Sequence, residues 1–183
     1  MRSRTTGWLI AAAILLIAGF LAMQVWSLRV GMLRFKAGDI DGALPILKIA
    51  RILNPFNEFV PVALAEIDIK KGRFEEAESQ IEALIERNPE NAKLHNLLGV
   101  TRFARGYPKD AMKEYNEAIR IDPGYAIAHL NKGYLLLKSG KTNEGIGSLR
   151  EAVRLDPKLE KNVNEIKLRL NLSPHPIPKG FTP

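Results

Sequence analysis

The sequence predicts an all-α chain: one N-terminal transmembrane helix, then an α-solenoid of four helix pairs, then a C-terminal capping helix. Three observations predict it. Gly99, Gly106, Ala118 and Pro123 recur 34 residues later as Gly133, Gly140, Ala152 and Pro157. The same stride runs back through Gly72 and Pro89, then through Gly31, Gly38, Ala43, Ala50 and Pro55. A fixed period of about 20–50 residues marks stacked supersecondary units. Ahead of the repeats, the 20 residues from Gly7 to Trp26 carry no charge. An apolar run of about 20 residues spans a hydrocarbon core of roughly 30 Å as a helix.

Residues 1–6 form a basic tail with Arg2 and Arg4. Residues 7–26 are the expected membrane helix, flanked by Trp8 and Trp26 as interfacial anchors are. A cleaved signal peptide, leaving a soluble secreted binder, is the rival reading. It needs an apolar region of about 7–15 residues closed by a small-x-small site. Met23 to Ser27 offers no such site, so an uncleaved anchor is expected. Gly7 and Ala11, and Ala18 and Ala22, are four apart, which permits close packing against another membrane helix. No proline lies between Phe20 and Ala37. The anchor is therefore expected to run straight into the first repeat helix, from about Gly7 to Ala37, a rod of about 46 Å. Charge at the two flanks is nearly balanced, Arg2 and Arg4 against Arg29, Arg34 and Lys36. Long domains cross largely regardless of charge, so the repeats are expected outside, which in a bacterium is the periplasmic side of the inner membrane.

The repeats tile as 24–57, 58–91, 92–125 and 126–159. In the third, Leu94, Leu97, Leu98 and Phe103 sit at helical spacing. Gly106 ends that helix, where positive φ is often required. Pro108 opens the next, where a missing N–H costs nothing. Ala111, Met112, Tyr115, Ala118, Ile119 and Ile121 line its inner face, and Pro123 closes it. Small residues at Gly99, Ala111 and Ala118 allow close backbone approach. Second helices are expected over 39–53, 74–87, 109–121 and 143–155, with Asp39 and Thr142 as N-caps. Residues 160–171 form the capping helix, with Leu159, Val163, Ile166 and Leu170 on one side, because a solenoid needs a terminal unit with a polar outer face. Residues 172–183 hold Pro174, Pro176, Pro178 and Pro183 and read as an extended tail.

Leu98-Gly99, Ala111, Tyr115, Ala118 and Pro123, followed by Gly133, Leu149, Ala152 and Pro157, resemble the tetratricopeptide repeat (TPR) family at its 34-residue period. Leu64-Ala65, Gly72, Ala77, Ile81 and Pro89 extend the resemblance backwards, as do Val30-Gly31, Ala43, Leu47, Ala50 and Pro55. The family's tryptophan near the start of the first helix is replaced by Pro61, His95 and His129, and Gly145 and Leu84 stand where alanine is usual. The resemblance implies a concave face built by first helices, on which a peptide or helix of another protein lies. In the repeat register that groove comprises Phe59, Val62 and Glu66, then Lys93, Asn96 and Val100, then Leu130, Asn131 and Tyr134. Phe103, Leu137 and Ile69 belong to the core. Some family members hold a C-terminal carboxylate with a Lys/Asn set; Val62 and Glu66 stand at its leading positions, so that activity is not implied.

Composition narrows the function further. The net charge is +7 and the isoelectric point about 9.7, yet no Arg/Lys cluster interleaves with aromatics, so nucleic acid is not expected. There is no cysteine, which removes disulfides, thiol catalysis and the usual structural zinc ligands. No phosphate loop, Gly-x-Ser-x-Gly or His-Glu-x-x-His occurs. No enzyme activity, cofactor or small-molecule substrate is expected. His95 and His129 lie one repeat apart and are read as rings packing between helices rather than metal ligands. Glu66, Glu75, Glu76, Glu78, Glu82 and Glu86 read as a solvated face. The expected function is a membrane-anchored scaffold or adaptor that helps assemble or stabilise an envelope complex. The alternative is a permanent accessory subunit docked on a larger membrane complex through its transmembrane helix.

Overall fold

The computed structural model describes residues 2–172, with side chains from residue 12 onward. Most of the proline-rich stretch, from Ser173, lies outside the described residues. Among those described, every regular element is helical: α1 (Arg2–Lys36), α2 (Ile40–Leu53), α3 (Phe59–Lys70), α4 (Phe74–Arg87), α5 (Ala92–Ala104), α6 (Pro108–Ile121), α7 (Ala126–Lys138), α8 (Thr142–Leu155) and α9 (Glu160–Arg169). A single 3₁₀ turn, Pro157–Leu159, leads into α9. The chain divides into two compact units, Met1–Arg73 and Phe74–Pro183.

The sequence stride reappears as repeated backbone chemistry at the helix ends. Asp39, Arg73, Tyr107 and Lys141, spaced by 34, each donate an N–H to the carbonyl five residues back, at 3.0, 2.9, 2.9 and 2.9 Å. The preceding residue is glycine each time, with φ between 73° and 87°. This is the Schellman closure of a helix, and it needs a left-handed residue that glycine supplies without a Cβ clash. The second helices end differently: Asn54, Asn88, Asp122 and Asp156 donate to Ala50, Leu84, Ala118 and Ala152. α9 repeats the Schellman pattern with Asn171, at φ 50°, in place of glycine.

In the first unit, α1 is one unbroken helix of 35 residues. Its outer part packs antiparallel on α2. Gly31 lies under Leu47, so close that a Cβ there would come within 2.8 Å of Leu47 Cδ2. Gln24 Nε2 donates to the carbonyl of Leu53, and the buried Ser27 hydroxyl returns to its own helix at the Gln24 carbonyl, 3.1 Å away. Ala43, Leu47, Ala50, Val60, Ala63, Leu64 and Ile67 form the core, covered by Leu28, Met32 and Phe35 of α1. Asp39 caps α2, its Oδ1 accepting from the Gly42 N–H at 2.9 Å.

In the second unit the same device recurs. A Cβ on Gly99 would meet the Tyr115 ring at 2.5 Å, and one on Gly133 would meet Leu149 at 2.8 Å. One apolar cluster joins Ala111, Tyr115 and Leu135, flanked by Val100, Phe103 and Met112. Another joins Ala126, Leu130, Leu137, Leu149 and Ala152 to Leu159 and Val163, with Ile166 and Leu170 against it. The apolar side of α9 thus closes this core.

Three starts shift by a residue: α2 begins at Ile40 rather than 39, with Asp39 as its cap. α6 begins at Pro108 rather than 109. Thr142 is not a cap: α8 begins on it, and Lys141 is the cap residue, without a side-chain hydrogen bond. The glycine closure at Gly140 leaves Lys141 already turned back toward Leu136, so the next helix starts at once.

Candidate functional site

In the second unit, the inward positions of α7 face α9 rather than open solvent. Leu130, Asn131 and Tyr134 line a cleft of about 370 Å³ with Asn162, Glu165, Ile166 and Arg169. Its floor is apolar, through Leu130 and Ile166. Its wall carries an ion pair, Arg169 Nη2 to Glu165 Oε1 at 2.6 Å, spaced i,i+4 on α9. The Tyr134 ring stands edge-on to Phe103, with centroids 5.8 Å apart and planes at 89°. Such a pair fixes ring orientation as well as burying area. Asn131 Nδ2 donates to Asn96 Oδ1 at 2.8 Å.

That last bond corrects the reading of Asn96 as a handle for a ligand. Asn96 is only 3% exposed. Its amide oxygen is occupied by Asn131, which leaves Asn131, half-buried, as the polar group that α7 contributes to the cleft. Val100 is half-buried against the Tyr115 cluster. Lys93 is exposed, but it borders a different depression with Asn88, Glu90, Asn91, Ile121, Asp122 and Tyr125. In the first unit, Phe59 is 70% exposed at the start of α3, and Val62 and Glu66 are half-buried along it. Ala18 and Ala22 are exposed on α1; Gly7 and Ala11 lie on the same helix, where side chains are not described. Sequence reasoning missed α9 as a wall of the cleft. The signal was present in the Glu165/Arg169 spacing on a helix otherwise read only as a cap.

The histidines do more than pack. His95 Nε2 lies 2.9 Å from the Pro89 carbonyl, and His129 Nε2 lies 3.1 Å from the Pro123 carbonyl. Each therefore ties the start of a first helix to the proline turn six residues before it. The other ring nitrogen of His95 meets Glu114 Oε2 at 2.8 Å.

Glu78 departs from the solvated face expected of it. Its side chain is 13% exposed and sits between two arginines. Arg102 Nε donates to Glu78 Oε1 at 3.0 Å, while its other nitrogens reach Glu114 at 2.7 Å and Glu82 at 2.9 Å. Arg105 donates to the second Glu78 oxygen and to Glu75 at 3.1 Å. Arg102 therefore links α4, α5 and α6 through one guanidinium. Burial alone would push the Glu78 carboxyl up, but hydrogen bonds and charge from Arg102 and Arg105 outweigh it and hold it below the ordinary value of 4.5. A depressed carboxyl stabilises the fold above the unfolded value, and that stability is lost as pH falls through the folded one. Acid melts of the wild type should therefore lose stability more steeply below about pH 4.5 than those of Glu78→Gln. Parallel curves would remove Glu78 from the acid response.

The tetratricopeptide-repeat family models match residues 62–126 and 114–146. The chain is 28% identical over 146 residues to a TPR repeat-containing protein of Methanocaldococcus jannaschii, covering 74% of this chain and 25% of that one. It is 25% identical over 148 residues to the BBSome complex member BBS4 of Bos taurus, covering 81% and 27%. The chain thus spans about a quarter of the length of these curated relatives. Among solved structures, a thermophilic TPR protein of Thermus thermophilus aligns with a TM-score of 0.74 at 24% identity, over 81% of this chain and 84% of that one. MamA of Desulfovibrio magneticus aligns at 0.59 and 16% identity, over 72% and 75%. Helix pairs closed by left-handed glycines, two matching family models and these neighbours together support a tetratricopeptide-repeat fold that mediates protein–protein interaction.

Proposed function

We propose that this chain is a membrane-anchored TPR scaffold, without catalysis of its own, that holds a segment of another protein in the α7–α9 cleft and so assists assembly of a membrane complex. The observation that carries the reading is the cleft itself: an apolar floor, one half-buried amide and one oriented tyrosine. An extended peptide or partner helix with an apolar side chain and a free backbone group suits that combination. The anchor half rests on Ala12–Lys36, a 25-residue helical stretch whose most apolar 18 residues have mean hydropathy 1.8, almost none of them buried. The membrane is proposed to be the inner membrane of a bacterium, with the repeats in the periplasm.

Photo-crosslinking from residue 162, on the α9 wall of the cleft, in native membranes tests the binding half. Replacing both Asn131 and Tyr134 by Ala should abolish most capture of the crosslinked partner while far-UV circular dichroism stays unchanged. Undiminished capture would move the site elsewhere. A second reading, a permanent subunit of a larger complex, draws on the exposed Ala18 and Ala22, which permit close helix packing in lipid. Mild detergent extraction and sizing separate the two: a stoichiometric large complex favours the second, a free or sub-stoichiometric protein the first.

A further inference from the structure

The first repeat carries exposed apolar side chains where the later repeats carry polar ones or none. Ile52 is 78% exposed and Phe56 is 91% exposed. One, two and three strides of 34 along, Ile52 becomes Glu86, Arg120 and Arg154, and Phe56 becomes Glu90, Gly124 and Lys158. Exposed phenylalanine and isoleucine at positions that are charged or glycine elsewhere in the same array are not required by the repeat. They mark something that covers this end of the first unit.

The geometry within the first unit says what. α1 and α2 are antiparallel in a fixed register. Gln24 bonds Leu53, Gly31 meets Leu47, and Arg34 approaches Gly42. The paired numbers sum to between 76 and 78. Within α2 that register sets Ile52 level with Val25 and Leu53 level with Gln24, and Phe56 follows three residues past the end of the helix. Those α1 residues belong to the uncharged stretch that ends at Trp26. Phe56 occupies the tip of the turn after α2, where Asn57 N–H donates back to the Asn54 carbonyl at 3.2 Å. α1 covers about 18 Å between Gln24 and Lys36, and α2 returns over the same distance. The α2–α3 turn thus comes back to the height at which α1 leaves its apolar segment.

Charge points the same way. The chain has no Asp or Glu before Asp39 and none between Gly42 and Asn57. The two carboxylates in between, Asp39 and Asp41, sit at the opposite end of the α1–α2 pair. Arg29, Lys48 and Arg51 are exposed along the stretch next to the apolar tip, against one carboxylate, Glu58, at the start of α3. In the register, Arg29 is level with Lys48 and Arg51 with Trp26. Basic side chains stacked just beyond an aromatic and an aliphatic tip form the arrangement of a surface that enters the headgroup layer of an anionic bilayer.

We propose that the α2–α3 turn, through Ile52 and Phe56, is a second membrane contact that sinks into the headgroup–acyl boundary of the same bilayer that α1 crosses. It rests on the reading of α1 as a membrane span and is independent of which side the repeats occupy. With two contacts, the first unit stands on the bilayer at a fixed height and azimuth, rather than swinging on a single rod.

The test uses the full-length chain in vesicles of phosphatidylcholine and phosphatidylglycerol. Trp8 and Trp26 are replaced by Phe, and Phe56→Trp supplies the only tryptophan; a second variant carries Leu33→Trp instead, nine residues beyond Gln24 on α1. Lipids brominated near the headgroup should quench most emission from the Phe56→Trp reporter and shift it to the blue, and leave the Leu33→Trp reporter nearly unquenched. Resistance of the same vesicles to alkaline carbonate reports separately on α1. Carbonate-resistant protein whose Phe56→Trp reporter is unquenched overturns the second contact and leaves the anchor standing. Protein released by carbonate overturns both. Equal quenching at both positions would mean that the whole unit is sunk or collapsed on the surface, and would also overturn the proposal. Ile52→Glu added to the Phe56→Trp chain should abolish most of the quenching without loss of helicity; unchanged quenching would count against Ile52 as part of the contact.

Discussion

Gly99→Leu should destabilise the second unit by about 3 kcal/mol or more, at or beyond the upper end of the usual overpacking cost. The reason is local and steric. A Cβ at this position would lie 2.5 Å from Tyr115 Cε1 and 3.2 Å from the Ala111 carbonyl oxygen. Tyr115 is 2% exposed and is the largest of the fully buried side chains, so the ring has no vacant space to turn into. The carbonyl belongs to α6 and moves only if the helix moves. Gly99→Ala already meets the clash and should cost about 1–3 kcal/mol. Thermal denaturation followed by circular dichroism reads both, with a shift for the leucine variant of about 10 °C or more in a unit of this size. A pair of melting curves superimposed on the wild type would mean that α5 and α6 do not approach here.

Leu47→Ala should have a comparable effect in the first unit, about 2–5 kcal/mol, as for other fully buried leucines cut back to a methyl. Leu47 is fully buried and fills the space over Gly31. Because Gly31 has no side chain, α1 offers none at that point to fill the void when Leu47 shrinks. The loss should be visible at one place in particular. Amide exchange at Ser27 to Arg29 should be slow in the wild type and accelerate in the variant, because α1 without the Leu47 contact opens its backbone hydrogen bonds there more often. Protection unchanged at those amides would show that α1 is held by some other contact.

The helical part of this fold could be read from the sequence because one stride fixes it many times over. α4 occupies Phe74–Arg87 and α2 ends at Leu53, as the period requires. The residues that carry the pairing, Gly31 with Leu47, Gly99 with Tyr115 and Gly133 with Leu149, are each 16 apart and sit in one register. What escaped the reading joins residues that no local rule connects. Arg102 reaches Glu78 and Glu114, 24 and 12 residues away on different helices. Helix-surface patterns weigh neighbours three or four apart, so acidic residues of α4 looked simply solvated. Asn96 and Asn131 are 35 apart, one residue off the stride, so the register assigned each separately and gave no sign that one would bury against the other. His95 sits in the slot the register gave it, but its added bonds to the Pro89 carbonyl and Glu114 have no sequence signature separate from a ring packed between helices.

One helix serves both as the apolar rod at the N-terminal end and as the inner partner of α2. No hinge separates those duties, because α1 runs from Arg2 to Lys36 without a break and an α-helix resists sharp bending unless proline or a bulge interrupts it. Torque applied to α2 or α3 is therefore delivered to the apolar stretch as a change of tilt, with no slack to absorb it. On the proposed reading of α1 as a membrane span, a thicker or thinner bilayer that reorients such a rod would swing its attached helices through the same angle, and lipid thickness would itself become an input to how the first unit is presented.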